Sequence, residues 1–117
     1  MRARLVHEQS GRVLADRLES ARSTLDRMRG LLGRDMLHAG EGMWISRCAC
    51  IHTWFMRFSI DVLFVDADFV VSKVVRDLSP WRMAGALGAR HTVELPAGTL
   101  ENVSVVPGDT LRIEDMA

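Results

Sequence analysis

Hydrophobic and polar positions divide the chain into short alternating runs, with one stretch of helical spacing. Residues 2–8 read as a short edge strand, and Gly11 separates them from a segment carrying Val13, Leu14 and Leu18 that fits strand or helix. Residues 23–32 follow the helical period: Leu25, Met28 and Leu32 form one apolar stripe, Ser23 serves as N-cap, and Asp26 approximates a capping box. Gly30 and Gly33 end or loosen this helix. From Met43 onward the texture is β. Val62-Leu63-Phe64-Val65 is an apolar run of strand length, Asp66-Ala67-Asp68 a tight turn, and residues 69–76 the β-branched return strand of an antiparallel hairpin. Pro80 stops it. Residues 91–95 form a further strand, and residues 103–106 and 110–113 flank Pro107-Gly108-Asp109 as a second hairpin. Six or so short strands and one helix predict a mainly β fold (α+β by count): a small barrel-like or half-barrel sheet, antiparallel or mixed, with the helix packed on it. The expected core draws on Leu25, Met28, Leu32, Ile45, Ile51, Val62, Phe64, Val70, Val74, Leu95, Val105 and Leu111.

Composition narrows the function classes. At 117 residues the chain has material for a single domain spanning residues 1–117, and its 15 basic and 15 acidic side chains cancel. Zero net charge and 48% hydrophobic residues disfavour disorder and phosphate-driven nucleic-acid binding. The absence of a long apolar run argues against a membrane span, and the charged N-terminus against a signal peptide; the expectation is a soluble, cytoplasmic protein. The only two cysteines, Cys48 and Cys50, are too tightly tethered for a relaxed disulfide and suit a reducing compartment. No sequence feature calls for a cofactor.

The chemistry concentrates in Cys48-Ala49-Cys50-Ile51-His52-Thr53-Trp54-Phe55-Met56-Arg57-Phe58-Ser59-Ile60-Asp61. With the strand that follows, this segment resembles domain-of-unknown-function family 192, marked by a His-Thr-x-x-Met element before a Leu/Val-Asp-x-x-Phe-x-Asp strand. Arg27-Met28-Arg29-Gly30-Leu31-Leu32-Gly33-Arg34, Gly42-Met43, Pro80-Trp81-Arg82, Glu94-Leu95-Pro96-Ala97-Gly98 and Pro107-Gly108-Asp109 resemble further elements of that family in the same order. Three positions depart from the family pattern: Phe55 stands where a glycine or small residue is expected, Ser59 where proline is common, and Phe69 where the hairpin usually has glycine. The resemblance implies a compact, mainly β domain and carries no assigned activity.

Three chemical readings of the segment compete. On an extended strand Cys48, Cys50 and His52 would face one side and could supply three zinc ligands, but no second Cys/His pair exists to complete the site, so this set carries the least weight. His52 with Asp61 or Glu94 could form an acid–base pair in a small hydrolase-like enzyme. The favoured reading is a non-enzymatic binding or accessory module with a pocket or groove at the 52–61 loop. There His52 and Thr53 would offer hydrogen bonds, Trp54, Met56 and Trp81 apolar contact, Arg57 and Arg82 planar cations, and Asp61 and Glu94 loop fixation or a seat for a cationic partner. Its ligand would be a small molecule or a protein. A structural partner-binding module is the other alternative, and it predicts an apolar surface patch in place of a concave pocket.

Overall fold

The computed structural model describes residues 2–21 and 35–116. Nine strands follow in chain order: β1 (Arg2–His7), β2 (Arg12–Ala21), β3 (Glu41–Ser46), β4 (Cys50–His52), β5 (Ile60–Val65), β6 (Val71–Leu78), β7 (Met83–Gly85), β8 (His91–Pro96) and β9 (Leu111–Met116). Seven form one sheet in the order β6-β5-β8-β3-β2-β1-β9, while β4 and β7 pair as a separate ribbon. All pairings are antiparallel except β2 with β3. A parallel pair needs a long crossover, here residues 22–40. The expected helix at 23–32, with its core residues Leu25, Met28 and Leu32, falls in that crossover and outside the described residues. Among the described residues the helical element is a single 3-10 turn, Thr99–Glu101, and no helix is long and apolar enough to cross a membrane.

The sheet curls into a half-barrel. Its far edges meet where the β5–β6 turn touches the start of β9: Val70 bridges Thr110, and Leu111 donates its N–H to the Phe69 carbonyl at 2.9 Å. Because side chains alternate across a strand, the two faces bury different sets. The inner face gathers Leu5, Leu14, Trp44, Leu63, Val93, Leu95, Val105 and Leu111. The outer face of β3 and β5 contributes Met43, Ile45, Ile60, Val62 and Phe64, which pack with Ile51 and Met56. The radius of gyration, 12.8 Å, matches the ~13 Å of a compact fold this long.

Several expectations need correction. The ambiguous segment after Gly11 is strand β2. Residues 43–50 are not continuous β: β3 ends at Ser46, and Arg47 turns left-handed (φ 54°) before β4 begins in the ribbon. Residues 103–106 form no strand, although Val103 and Val105 are buried in alternation; they line the inner core without a pairing partner. Val70 and Val74 are half-buried.

β9 is fastened by charge. Glu114 accepts from Arg4 Nε at 2.6 Å and Arg112 Nε at 2.8 Å. These bonds, Arg4's first, hold the Glu114 carboxyl below its ordinary value of 4.5. A carboxyl whose folded pKa is lowered stabilises the fold fully above its unfolded pKa, and that contribution is lost as pH falls through the folded value. The thermal midpoint is therefore expected to fall on acidification below pH 4.5, and Glu114→Gln to make that acid limb shallower. A midpoint scan of both proteins from about pH 6 to about pH 3 checks this; superimposable limbs would exclude it.

Candidate functional site

The β4–β7 ribbon and the loop after it lie over the outer-face core. Ile51 and Met56 point down into that core, and Cys50, Trp54, Phe55 and Arg57 around them are exposed. His52 pairs with Met83 at the ribbon end, half-buried, with its ring 4.7 Å from that of Trp54.

Thr53 is fully buried and acts as a staple. Its N–H donates to the Arg82 carbonyl at 2.8 Å, and its carbonyl accepts the N–H groups of Met56 and Trp81. Its hydroxyl donates to the Ser79 carbonyl at 2.6 Å and accepts the Arg82 N–H at 2.9 Å. One residue thus ties the 53–56 turn to the 79–82 turn, which is why Trp54, Phe55 and Trp81 emerge side by side.

The product is an aromatic ledge. Trp54 is 43% exposed, Phe55 62%, Trp81 58% and Met83 62%. The Phe55 and Trp81 rings meet in a tilted contact, centroids 4.8 Å apart and planes inclined by 59°. Both residues hold positive φ, 67° for Phe55 and 65° for Trp81, a conformation that costs a bulky side chain about 1–2 kcal/mol. Of the three positions that depart from the expected pattern, Phe55 and Phe69, the latter at φ 64°, fall where the backbone takes the left-handed conformation that favours glycine; Ser59 does not. Arg57 and Arg82 are exposed beside the ledge, and Arg57 reaches the Asp35 carboxylate at 3.4 Å, a solvent-exposed pair worth little.

The remaining candidates do not gather there. Met56 belongs to the core. Asp61 pairs in register with Leu95 on the inner face, whereas Glu94 pairs with Val62 and Met43 on the outer face, so the two carboxylates project from opposite sides of the sheet. Asp61 is buried and spends both oxygens on backbone: Oδ1 accepts the Asp77 N–H at 2.8 Å and Oδ2 the Leu100 N–H at 2.9 Å. Glu94 is fully buried within the sheet. The common solvent-facing hollow expected for these groups is absent for Asp61, Glu94 and Met56. Cys48 precedes β4 and its thiol donates to the Cys50 carbonyl at 3.1 Å, so the thiols and His52 do not line one strand. Among the described residues no three His, Cys, Asp or Glu side chains converge as ligands for a metal ion.

Two open hollows indent the surface elsewhere. One of about 450 Å³ is lined by residues including Arg12, Leu14, Gly40 and Asn102, and one of about 310 Å³ by Arg47, Ala49, Ala89 and Arg90; neither includes a residue of the ledge. Sequence reasoning also missed a polar chain at the β1 end. His7, 2% exposed, bonds Ser10 Oγ through Nδ1 at 2.7 Å and Asp109 Oδ2 through Nε2 at 2.8 Å. His7 and Ser10 are three positions apart, but Asp109 lies about a hundred positions further on, and no local pattern joins it to them.

Comparison with known proteins gives a consistent result. The model of DUF192, described as Uncharacterized ACR, matches residues 5–113. A UPF0127 protein of Thermococcus sibiricus is 32% identical over 118 residues, covering 94% of this chain and 74% of the relative. A UPF0127 protein of Pyrococcus horikoshii is 40% identical over 65 residues, and the match spans just over half of that relative's length, 56%. Among solved structures, a candidate transcription regulator from Sinorhizobium meliloti 1021 aligns with a TM-score of 0.78 at 25% identity, covering 94% of this chain and 90% of that one. A protein of unknown function from Novosphingobium aromaticivorans aligns with the same TM-score at 24% identity, covering 94% and 82%, and shares the fold.

Proposed function

Because the chain belongs to the uncharacterized DUF192 (UPF0127) family, whose relatives' names assign no activity, we propose its role from its own surface: a non-enzymatic, single-domain binding module whose working face is the aromatic ledge. The observation that carries this reading is the tilted Phe55–Trp81 ring pair, two exposed rings both held at positive φ. Backbone strain at exposed bulky residues brings the fold no packing, and such outliers concentrate where a protein presents groups to a partner. The ledge is an exposed surface, which suits a macromolecular partner better than an enclosed small molecule. Tryptophan, methionine and arginine are the side chains enriched at interface centres. The partner is a protein segment that sets apolar side chains on the rings and carboxylates against Arg57 and Arg82. Asp61 projects from the sheet face opposite the ribbon and is committed to two backbone donors, which weighs against the form of the hydrolase-like reading that pairs it with His52.

The test uses a displayed library of random peptides, selected on the wild type and rescreened on Phe55→Gly and Trp81→Ala. Enriched peptides are expected to combine aromatic or aliphatic residues with Asp or Glu, and to lose about 2 kcal/mol, roughly 30-fold, on either variant. Phe55→Gly is expected to hold its stability within about 1 kcal/mol, since the strain relieved offsets the lost ring contact and the added freedom of the unfolded chain. Peptides that bind both variants as tightly as the wild type, or a library that yields no binder to the ledge, would overturn the reading.

A further inference from the structure

Ser10, His7 and Asp109 form one hydrogen-bonded series. The Asp109 carboxylate only accepts, so His7 Nε2 carries a proton, and in the tautomer with that proton alone Nδ1 presents a lone pair. Ser10 Oγ accepts the Arg12 N–H at 3.2 Å and in that tautomer donates its own hydrogen to Nδ1, 2.7 Å away. Asp109 is itself held by the Val106 N–H at 3.0 Å, and the His7 bond is the main reason its carboxyl lies below the ordinary value. A hydroxyl, an imidazole and an orienting carboxylate in hydrogen-bonded series are the parts of an activated serine, with the two ring nitrogens exchanged relative to the serine-protease order. The base His7 is enclosed and the orienter Asp109 is partly exposed, while Ser10 lies exposed on the four-residue turn between β1 and β2. Neither surface hollow includes Ser10. This arrangement suits a site that accepts a group from solution more than one that turns over a bound substrate.

We infer that Ser10 is a nucleophilic serine, a covalent acceptor for activated acyl donors such as thioesters and aryl esters. As Oγ forms its bond to the carbonyl carbon, its proton passes to His7 Nδ1. The bond from that carbon to the leaving group then breaks, and the proton leaves with the thiol or phenol. The product is an O-acyl Ser10 with no change of oxidation state.

Intact protein incubated with p-nitrophenyl acetate, followed by digestion and mass spectrometry, tests this. Acetylation of Ser10 is expected about 100-fold faster than that of the exposed Ser79 and Ser104 in the same molecules. Lys73 is the chain's only lysine, so competing side-chain amine acylation has one address. Ser10→Ala is expected to abolish the adduct, and Asp109→Asn, which no longer enforces the tautomer, to slow it about 100-fold. Acetylation of Ser10 at the rate of Ser79 and Ser104 overturns the inference, as does a folded Asp109→Asn variant that labels at the wild-type rate. The wild-type comparison decides by itself if the Asp109 variant does not fold.

Discussion

Asp61→Ala is expected to cost about 3–5 kcal/mol, a large share of the 5–15 kcal/mol that ordinarily holds a domain folded. Asp61 is 1% exposed, and its two oxygens secure separate parts of the chain. Oδ1 accepts the N–H of Asp77, a residue at φ 53° in the irregular stretch where the β5–β6 register shifts between Ile60 and Val62. Oδ2 accepts the N–H of Leu100, whose side chain seats the 3-10 turn in the inner core. Truncation leaves two donors without their charged acceptor, each such bond being worth about 1.5–3 kcal/mol. Asp61→Asn keeps one acceptor and turns an amide donor toward the other N–H, so it is expected to cost about 2 kcal/mol. Urea unfolding should show the midpoint falling in the order wild type, Asn, Ala, with the slope unchanged. A loss below about 1 kcal/mol for Asp61→Ala would show that backbone anchoring is not its main role.

The same residue shows where the sequence is readable and where it is not. That Asp61 receives backbone donors follows from its place at the head of an apolar strand; that the donors are Asp77 and Leu100 does not, because both are far along the chain and one sits at a left-handed residue that is not glycine. The 62–76 hairpin is legible because its signals are local: an apolar run, an Asp-Ala-Asp turn in which Asp66 Oδ1 accepts the N–H groups of Asp68 and Val70, and a β-branched return. The mainly β class follows from several such segments taken together. The break at Arg47 is not legible, since no glycine or proline marks it. Residues 103–106 mislead in another way: alternation reports which side is buried, and a strand also needs an edge to pair with. The candidate site divided along the same line. Thr53, Trp54 and Trp81 come together through backbone bonds between two turns, whereas Asp61 and Glu94 were separated by the parity of the β5–β8 register, which a single sequence does not disclose.

The three tryptophans, of which the sequence singles out Trp54 and Trp81 as surface candidates, are expected to separate by several kcal/mol. Trp44 is 5% exposed on β3, its ring 4.9 Å from His91 and 5.1 Å from Phe69, inside the inner cluster. Burial, with Arg90 beside it, pushes His91 below its ordinary pKa, so the ring against Trp44 is neutral near pH 7. Removing the indole leaves a cavity that central strands cannot collapse to fill, and Trp44→Ala is expected to cost about 3–5 kcal/mol. Trp54 and Trp81 cover no comparable core, so Trp54→Ala and Trp81→Ala are expected to stay within about 1 kcal/mol of the wild type. Urea unfolding of the three single variants measures this directly. Equal losses at all three positions would make the ledge part of the packed core and remove the physical basis for treating it as a recognition surface. A large loss confined to Trp44 would leave Trp54 and Trp81 as rings that the fold exposes without needing them for its own stability.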